Sequence, residues 1–137
     1  MPFEAWLAVA TAIGSALAFV GGQDVSRRER MAAYLEGISI SLKTLADKAD
    51  QQHDFSEQCA EIKVYTRKLK EICADVIQIK ELDSLAQDLD RAAVSPGALN
   101  AQILFERASD NVRSGYLTTI REAAGTFWAS AQSLRAK

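Results

Sequence analysis

The sequence predicts an all-α fold: an up-and-down bundle of about four helices, opened by a short apolar N-terminal helix, in one domain over residues 1–137. Three observations carry this. Only 2 Pro and 7 Gly punctuate 137 residues, too few stop signals for a many-turned β fold. Apolar residues recur at alternating steps of three and four over long stretches, the signature of amphipathic helices. AVILMFWYC residues make up 48% and charged residues 25%, enough to bury a core and unlike the composition of a disordered chain.

The first element is the anomalous one. Between Glu4 and Gln23 the chain carries no charge, and residues 5–22 read AWLAVATAIGSALAFVGG, 18 residues. A helix over 3–20 is expected, with 24–137 forming the amphipathic helices. The run would be roughly 27 Å long, near the ~30 Å hydrocarbon thickness of a bilayer. Phe3, Trp6, Ala10, Ile13, Leu17 and Val20 form one large apolar stripe. Ala8, Ala12 and Ala16 form a ridge of small residues, and Ala10, Gly14 and Ala18 another. Such ridges let helix backbones approach closely in lipid, and they also serve packing in water.

Three readings compete for this run. A secretory signal peptide needs a basic n-region, whereas the leader MPFE carries an acid, although Ala16-Leu17-Ala18 imitates a cleavage site. A buried core helix can be apolar all round. A membrane-seeking helix fits the length and the absence of charge. The last two are compatible if the helix is stowed in one state and released in another. Arg27, Arg28 and Arg30 follow the run, and its other flank holds only Glu4 and the terminal amine. If the helix inserts, the positive-inside rule keeps the rest of the chain on the cytoplasmic side.

Gly21-Gly22 ends the first helix, as Gly does past a C-terminus. Asp24 and the capping-box spacing Ser26-x-x-Glu29 start the second, expected over 24–51. Its stripe is Met31, Leu35, Ile38, Leu42, Leu45 and Ala49, with Gly37 tolerated inside at roughly 1 kcal/mol relative to Ala. After the polar link Gln51-Gln52-His53, the spacing Asp54-x-x-Glu57 starts a third helix over 55–93, kinked near 80 where Ser84-x-x-Gln87 could cap afresh. Phe55, Cys59, Ile62, Leu69, Cys73 and Val76, with Tyr65, Ile72 and Ile79 beside them, give it a wide apolar face. Val94-Ser95-Pro96-Gly97 is a turn, with Ser95 a cap and Pro96 at the first helical position. The last helix is expected over 98–135 on Leu99, Ile103, Phe105, Ala108, Val112, Tyr116, Ile120, Ala124, Phe127, Ala131 and Leu134. Ser109-Asp110-Asn111 and Gly115 are its weak points. Short links make neighbouring helices antiparallel.

The remaining residue types exclude most chemistry. There is one His, His53, and two Cys, Cys59 and Cys73. No zinc set, no Cys-x-x-Cys, no Glu-x-x-His pair, no Gly-rich phosphate loop and no nucleophile elbow occurs. No enzyme, no cofactor and no metal site is expected. The formal charge of -2 gives no overall basic footprint for nucleic acid. The two Cys lie fourteen residues apart on one helix, about 21 Å along its axis. They cannot bridge each other and are expected as buried thiols.

Two basic groups remain. Arg27, Arg28 and Arg30 stand beside the apolar run. Lys63, Arg67 and Lys70 follow i, i+4, i+7 spacing on one face. One reading is a solvated face with pairs such as Arg67 and Glu71. The other is attraction to anionic lipid headgroups, at about 1 kcal/mol per basic residue near the surface.

A short apolar helix rich in Ala and Gly at Phe3 to Gly22, a break at Gly21-Gly22 and amphipathic stripes after it resemble a group of cell-death effector domains. These are the bacterial Bell domains, the fungal HeLo and HeLo-like domains, and the four-helix domain of the necroptosis pseudokinase. The resemblance covers the whole chain as architecture and rests on no strict motif. It implies immunity-type cell death by a membrane-targeting, pore-forming or permeabilising domain, in which oligomerisation releases a membrane-active N-terminal segment. Phe3, Trp6, Ala10, Ile13, Gly14, Leu17, Ala18 and Val20 would then insert, with Arg27, Arg28, Arg30, Lys63, Arg67 and Lys70 at the headgroups. Anionic membrane lipids, further copies of the chain and an upstream trigger protein would be the partners. The protein would move from the cytoplasm to the inner face of the cell membrane. The chain departs from the group in carrying no Gln/Asn-rich amyloid motif. The alternative is a constitutively anchored or soluble helical adaptor or scaffold. Whether the first helix is buried in the fold separates these readings.

Overall fold

The structure is a computed structural model that describes residues 4–17, 25–74 and 98–136. Five helices lie in these residues, without strand: α1 (Glu4–Ala16), α2 (Val25–Asp50), α3 (Ser56–Ala74), α4 (Ala98–Arg107) and α5 (Asp110–Ala136). The fold is the all-α bundle expected from the periodicity. The expectations for 75–97, including the kink near 80 and the Ser95 cap, lie outside the described residues.

The long pair α2 and α5 is the spine of the bundle. Met31, Leu35, Ile38, Leu42, Leu45 and Ala49 are all buried, as their spacing predicts. They meet Leu117, Ile120, Ala124, Phe127, Ala131 and Leu134 of α5. Val112, expected on that stripe, is exposed instead. The helices run antiparallel. Arg135 binds Glu29 and Glu36, Ser39 Oγ donates to the Ala124 carbonyl at 2.7 Å, and Arg121 meets Asp47 and Asp50. The buried Ser39 hydroxyl thereby finds an acceptor across the interface rather than remaining unpaired.

Helix α3 packs on α2, α4 on α3, and α1 on α5. The α2–α3 contact explains Gly37, which the sequence alone presents only as tolerated. A Cβ there would lie 2.6 Å from the Tyr65 phenol oxygen, so the ring occupies the space of a side chain. Tyr34 holds Tyr65 in place, its hydroxyl donating to the Tyr65 carbonyl at 2.8 Å and its ring edge-on at 5.0 Å.

The helix ends differ from expectation in physically defined ways. The stretch expected as one helix over 98–135 is two. Ser109 caps the second, accepting from the Val112 amide at 3.4 Å. The Arg113 guanidinium donates to the carbonyls of Phe105 and Ala108, which α4 leaves without helical partners. A bend at Ser109 was foreseen; the full stop comes from that side chain. Ser26 lies within α2, whose described residues begin at Val25. Helix α2 ends in a Schellman arrangement: His53 N donates to Lys48 O at 2.8 Å and Gln52 N to Ala49 O at 3.1 Å, with Gln52 at φ 60°. Asp54 then accepts from the Ser56 amide at 2.7 Å, an Asx turn rather than a capping box.

Candidate functional site

The uncharged N-terminal segment is folded into the bundle. Trp6, Val9, Ala10, Ile13, Ala16 and Leu17 are buried, a stripe at helical spacing. Of the expected insertion residues, Trp6, Ala10, Ile13 and Leu17 therefore face the core. Phe3, Ala18 and Val20 lie outside the described residues. Gly14 does not share their environment. It is exposed, and a Cβ built on it would stand 3.5 Å from Ser130 Oγ, at the edge of the α1–α5 contact. The two small-residue ridges are divided as well. Ala10 and Ala16 are buried, Ala8 and Ala12 half-buried, and the outward positions are Glu4, Thr11, Gly14 and Ser15.

Two consequences follow for the membrane reading. The described helix α1 has 13 residues, about 20 Å, with Leu17 in a tighter turn after it; residues 3 and 18–20 of the expected helix lie outside the described residues. No helix among the described residues is long and apolar enough to cross a membrane. What holds α1 is chiefly α5, where Trp6 meets Phe127 edge to face.

The structure places the basic candidates on two separate elements. Arg27 and Arg30 are exposed at the start of α2. Arg28 is half-buried, with its Nε enclosed and without a hydrogen-bond partner. Lys63 and Arg67 are exposed on α3, as their spacing implies. Lys70 lies on the same helix, but its side chain is outside the described residues.

Cys59 is a buried free thiol. Burial, with Asp54 nearby, pushes its pKa up to about 11, the opposite of what an activated nucleophile needs. The side chain of Cys73 is outside the described residues. His53 is exposed in the α2–α3 link. Among the described residues no group of three His, Cys, Asp or Glu is placed to hold a metal ion.

Neither a family model, nor a curated protein, nor a solved structure is detectably similar to the chain. The site must be read from its geometry.

A groove on the bundle surface lies outside the sites expected from the sequence. Ile40 and Trp128 are 57% and 46% exposed and line a groove of about 570 Å³ on the outer face of α2 and α5, with Lys43, Arg121 and Gly125. The signal was available: Ile40 and Trp128 fall off the core stripes of their own helices, on the faces that periodicity assigns to solvent.

Proposed function

We propose that this bundle stores an apolar helix and delivers it to an anionic membrane, acting without catalysis as a permeabilising effector of the cell-death type. The observation that supports the reading is the placement of α1. Its bulky side chains are buried, its outward face is small and carries one charge, Glu4, and α5 is its main support. A helix held largely by one neighbour can leave without dismantling the α2–α5 spine. Once out, it would present Trp6, Val9, Ile13 and Leu17 to lipid. The uncharged run continues in sequence to Gly22, beyond the described α1. Arg27 and Arg30 would follow at the headgroups, where basic residues beside an inserted helix are favourable. A constitutive anchor is the poorer fit, because an anchored α1 would leave its α5 partners uncovered.

The experiment is a reversible lock. In a chain with Cys59 and Cys73 replaced by Ala, Gly14→Cys and Ser130→Cys place two thiols across the α1–α5 edge. A Cβ at position 14 would stand 3.5 Å from Ser130 Oγ, which brings the two side chains within reach of a disulfide, whose Cβ atoms lie about 3.8 Å apart. The oxidised protein should leave anionic vesicles intact, and reduction should restore dye leakage. Equal leakage in both states would mean that α1 is not the active element. No leakage in either would favour the scaffold reading, in which α1 never leaves the core.

A further inference from the structure

The α2–α5 seam is closed by polar pairs at both ends and left open in the middle. At one end Arg135 binds Glu29 and Glu36, and Gln132 Nε2 donates to Glu36 at 2.8 Å. At the other, Arg121 lies 3.3 Å from Asp47 and 3.4 Å from Asp50. Between them stand exposed Ile40 and Trp128, and the groove they line. Large apolar side chains beside a cavity are a feature of binding surfaces rather than of a solvated helix face.

Gly125 sharpens this. It sits inside α5, where Gly is disfavoured relative to Ala. Gly37 is explained by Tyr65, but a Cβ on Gly125 would meet nothing within 4 Å. Among the described residues nothing requires the missing side chain. The benefit falls to whatever enters the groove.

We propose that this face is a self-association surface, on which a second copy of the chain docks about a two-fold axis with each Trp128 seated over the other copy's Gly125. Gly125 and Trp128 are three residues apart, neighbours on one helix face. The chain thus carries a projecting ring beside a hole, and a two-fold axis between them pairs each ring with the opposite hole, as a self-complementary interface requires. The charges agree. The groove is lined by two cations, Lys43 and Arg121; Arg121 is paired with Asp47 and Asp50 beside it, and Lys43 has no ion-pair partner among the described residues. A basic partner would meet like charge at Lys43 and Arg121, whereas a second copy can bring its own Asp47 or Asp50 to Lys43. Buried Trp and Arg are the residues on which such interfaces depend most. The surface is separate from the α1–α5 contact, and the inference does not rest on the membrane reading.

The test is sedimentation equilibrium of the full chain, without lipid, from about 1 to about 200 µM. The wild type should pass with concentration from the 15.0 kDa chain mass to twice that mass. Gly125→Leu fills open space and should keep the helical circular dichroism while weakening association by about tenfold or more. Trp128→Ala should do the same, and Val64→Ala, on the exposed face of α3, should change nothing. Iodide should quench Trp128 in dilute solution and lose access on association. A wild type that stays monomeric throughout, or a folded Gly125→Leu that associates like the wild type, overturns the proposal. So does a wild type that is monomeric yet shields Trp128 only on vesicles, which would make the groove a lipid face.

Discussion

Trp6 stands edge-on to Phe127, ring centroids 6.4 Å apart and planes at 62°, and neither ring has more than 1% of its surface exposed. This contact pins the uncharged helix to the spine of the bundle, so it sets how firmly α1 is stored. Trp6→Ala should cost about 3–5 kcal/mol in urea unfolding, the range for truncating a buried large aromatic. A Trp6→Ala, Phe127→Ala cycle should show coupling of about 0.5–1.5 kcal/mol from the ring pair itself. A loss below about 1 kcal/mol for Trp6→Ala, typical of surface sites rather than core ones, would mean that α1 is not part of the cooperative core.

Periodicity made the spine legible, because α2 and α5 each bury one stripe and solvate the rest. It could not decide α1. The stripe of Trp6, Ala10, Ile13 and Leu17 is legible, with Glu4, Thr11 and Ser15 off it, but a large apolar stripe fits a core and a bilayer alike, and only packing against α5, where Trp6 meets Phe127, shows it buried in protein. The stop between α4 and α5 was half legible. Ser109 is a visible cap, but the Arg113 guanidinium that satisfies the Phe105 carbonyl acts through its long side chain and leaves no periodic trace. Gly37 and Gly125 look alike in sequence and differ only in what faces them: a tyrosine ring in one case, open space in the other. The groove around Trp128 needed two helices brought into register before it existed.

The Glu29–Arg135 clasp makes a pH prediction. Hydrogen bonds from the Arg135 guanidinium, and then its charge, hold the Glu29 carboxyl below its ordinary value of 4.5. A carboxyl depressed on folding adds stability above its unfolded pKa and loses it as pH falls through the folded value. Glu29→Gln should therefore be less stable than the wild type at pH 7, and the difference should shrink below pH 4.5. The pair is exposed, so the difference at pH 7 should be small and should diminish in high salt. Urea midpoints at several pH values decide it, and a gap that widens in acid would assign the clasp no electrostatic role.

Gln52 occupies a position that the backbone reserves for glycine. Its φ of 60° is the left-handed conformation that ends α2, which costs an L-residue roughly 1–2 kcal/mol. Gln52 is exposed, so its side chain has little packing to lose. Gln52→Gly should raise stability by about 0.5–1 kcal/mol, despite the greater freedom of Gly in the unfolded chain. Gln52→Val, β-branched and poorly suited to positive φ, should lower it. Thermal unfolding of the pair gives both signs, and a destabilising Gly would place the turn in another conformation.

Gly14 offers the cleanest separation of storage from insertion. In a helix buried on all sides, Gly14→Glu would unfold the bundle and leave nothing to compare. Here Gly14 is exposed, and its Cβ would meet only Ser130 Oγ, at 3.5 Å, an ordinary contact. The new carboxylate can point to water. It gains helix propensity over Gly and gives part of that back to the dipole near the C-terminus of α1, so folding stability should stay within about 0.5 kcal/mol of the wild type. A bilayer treats the substitution differently. A carboxylate in the middle of an inserting helix costs about 2.5–3.5 kcal/mol on insertion scales for Asp, more than the folded protein loses. Gly14→Glu should thus melt like the wild type and leak anionic vesicles far less. Gly14→Ala, which adds the Cβ without the charge, should melt and leak normally. A folded Gly14→Glu that leaks vesicles as the wild type does would remove α1 from the membrane mechanism, whatever the rest of the bundle does at the surface.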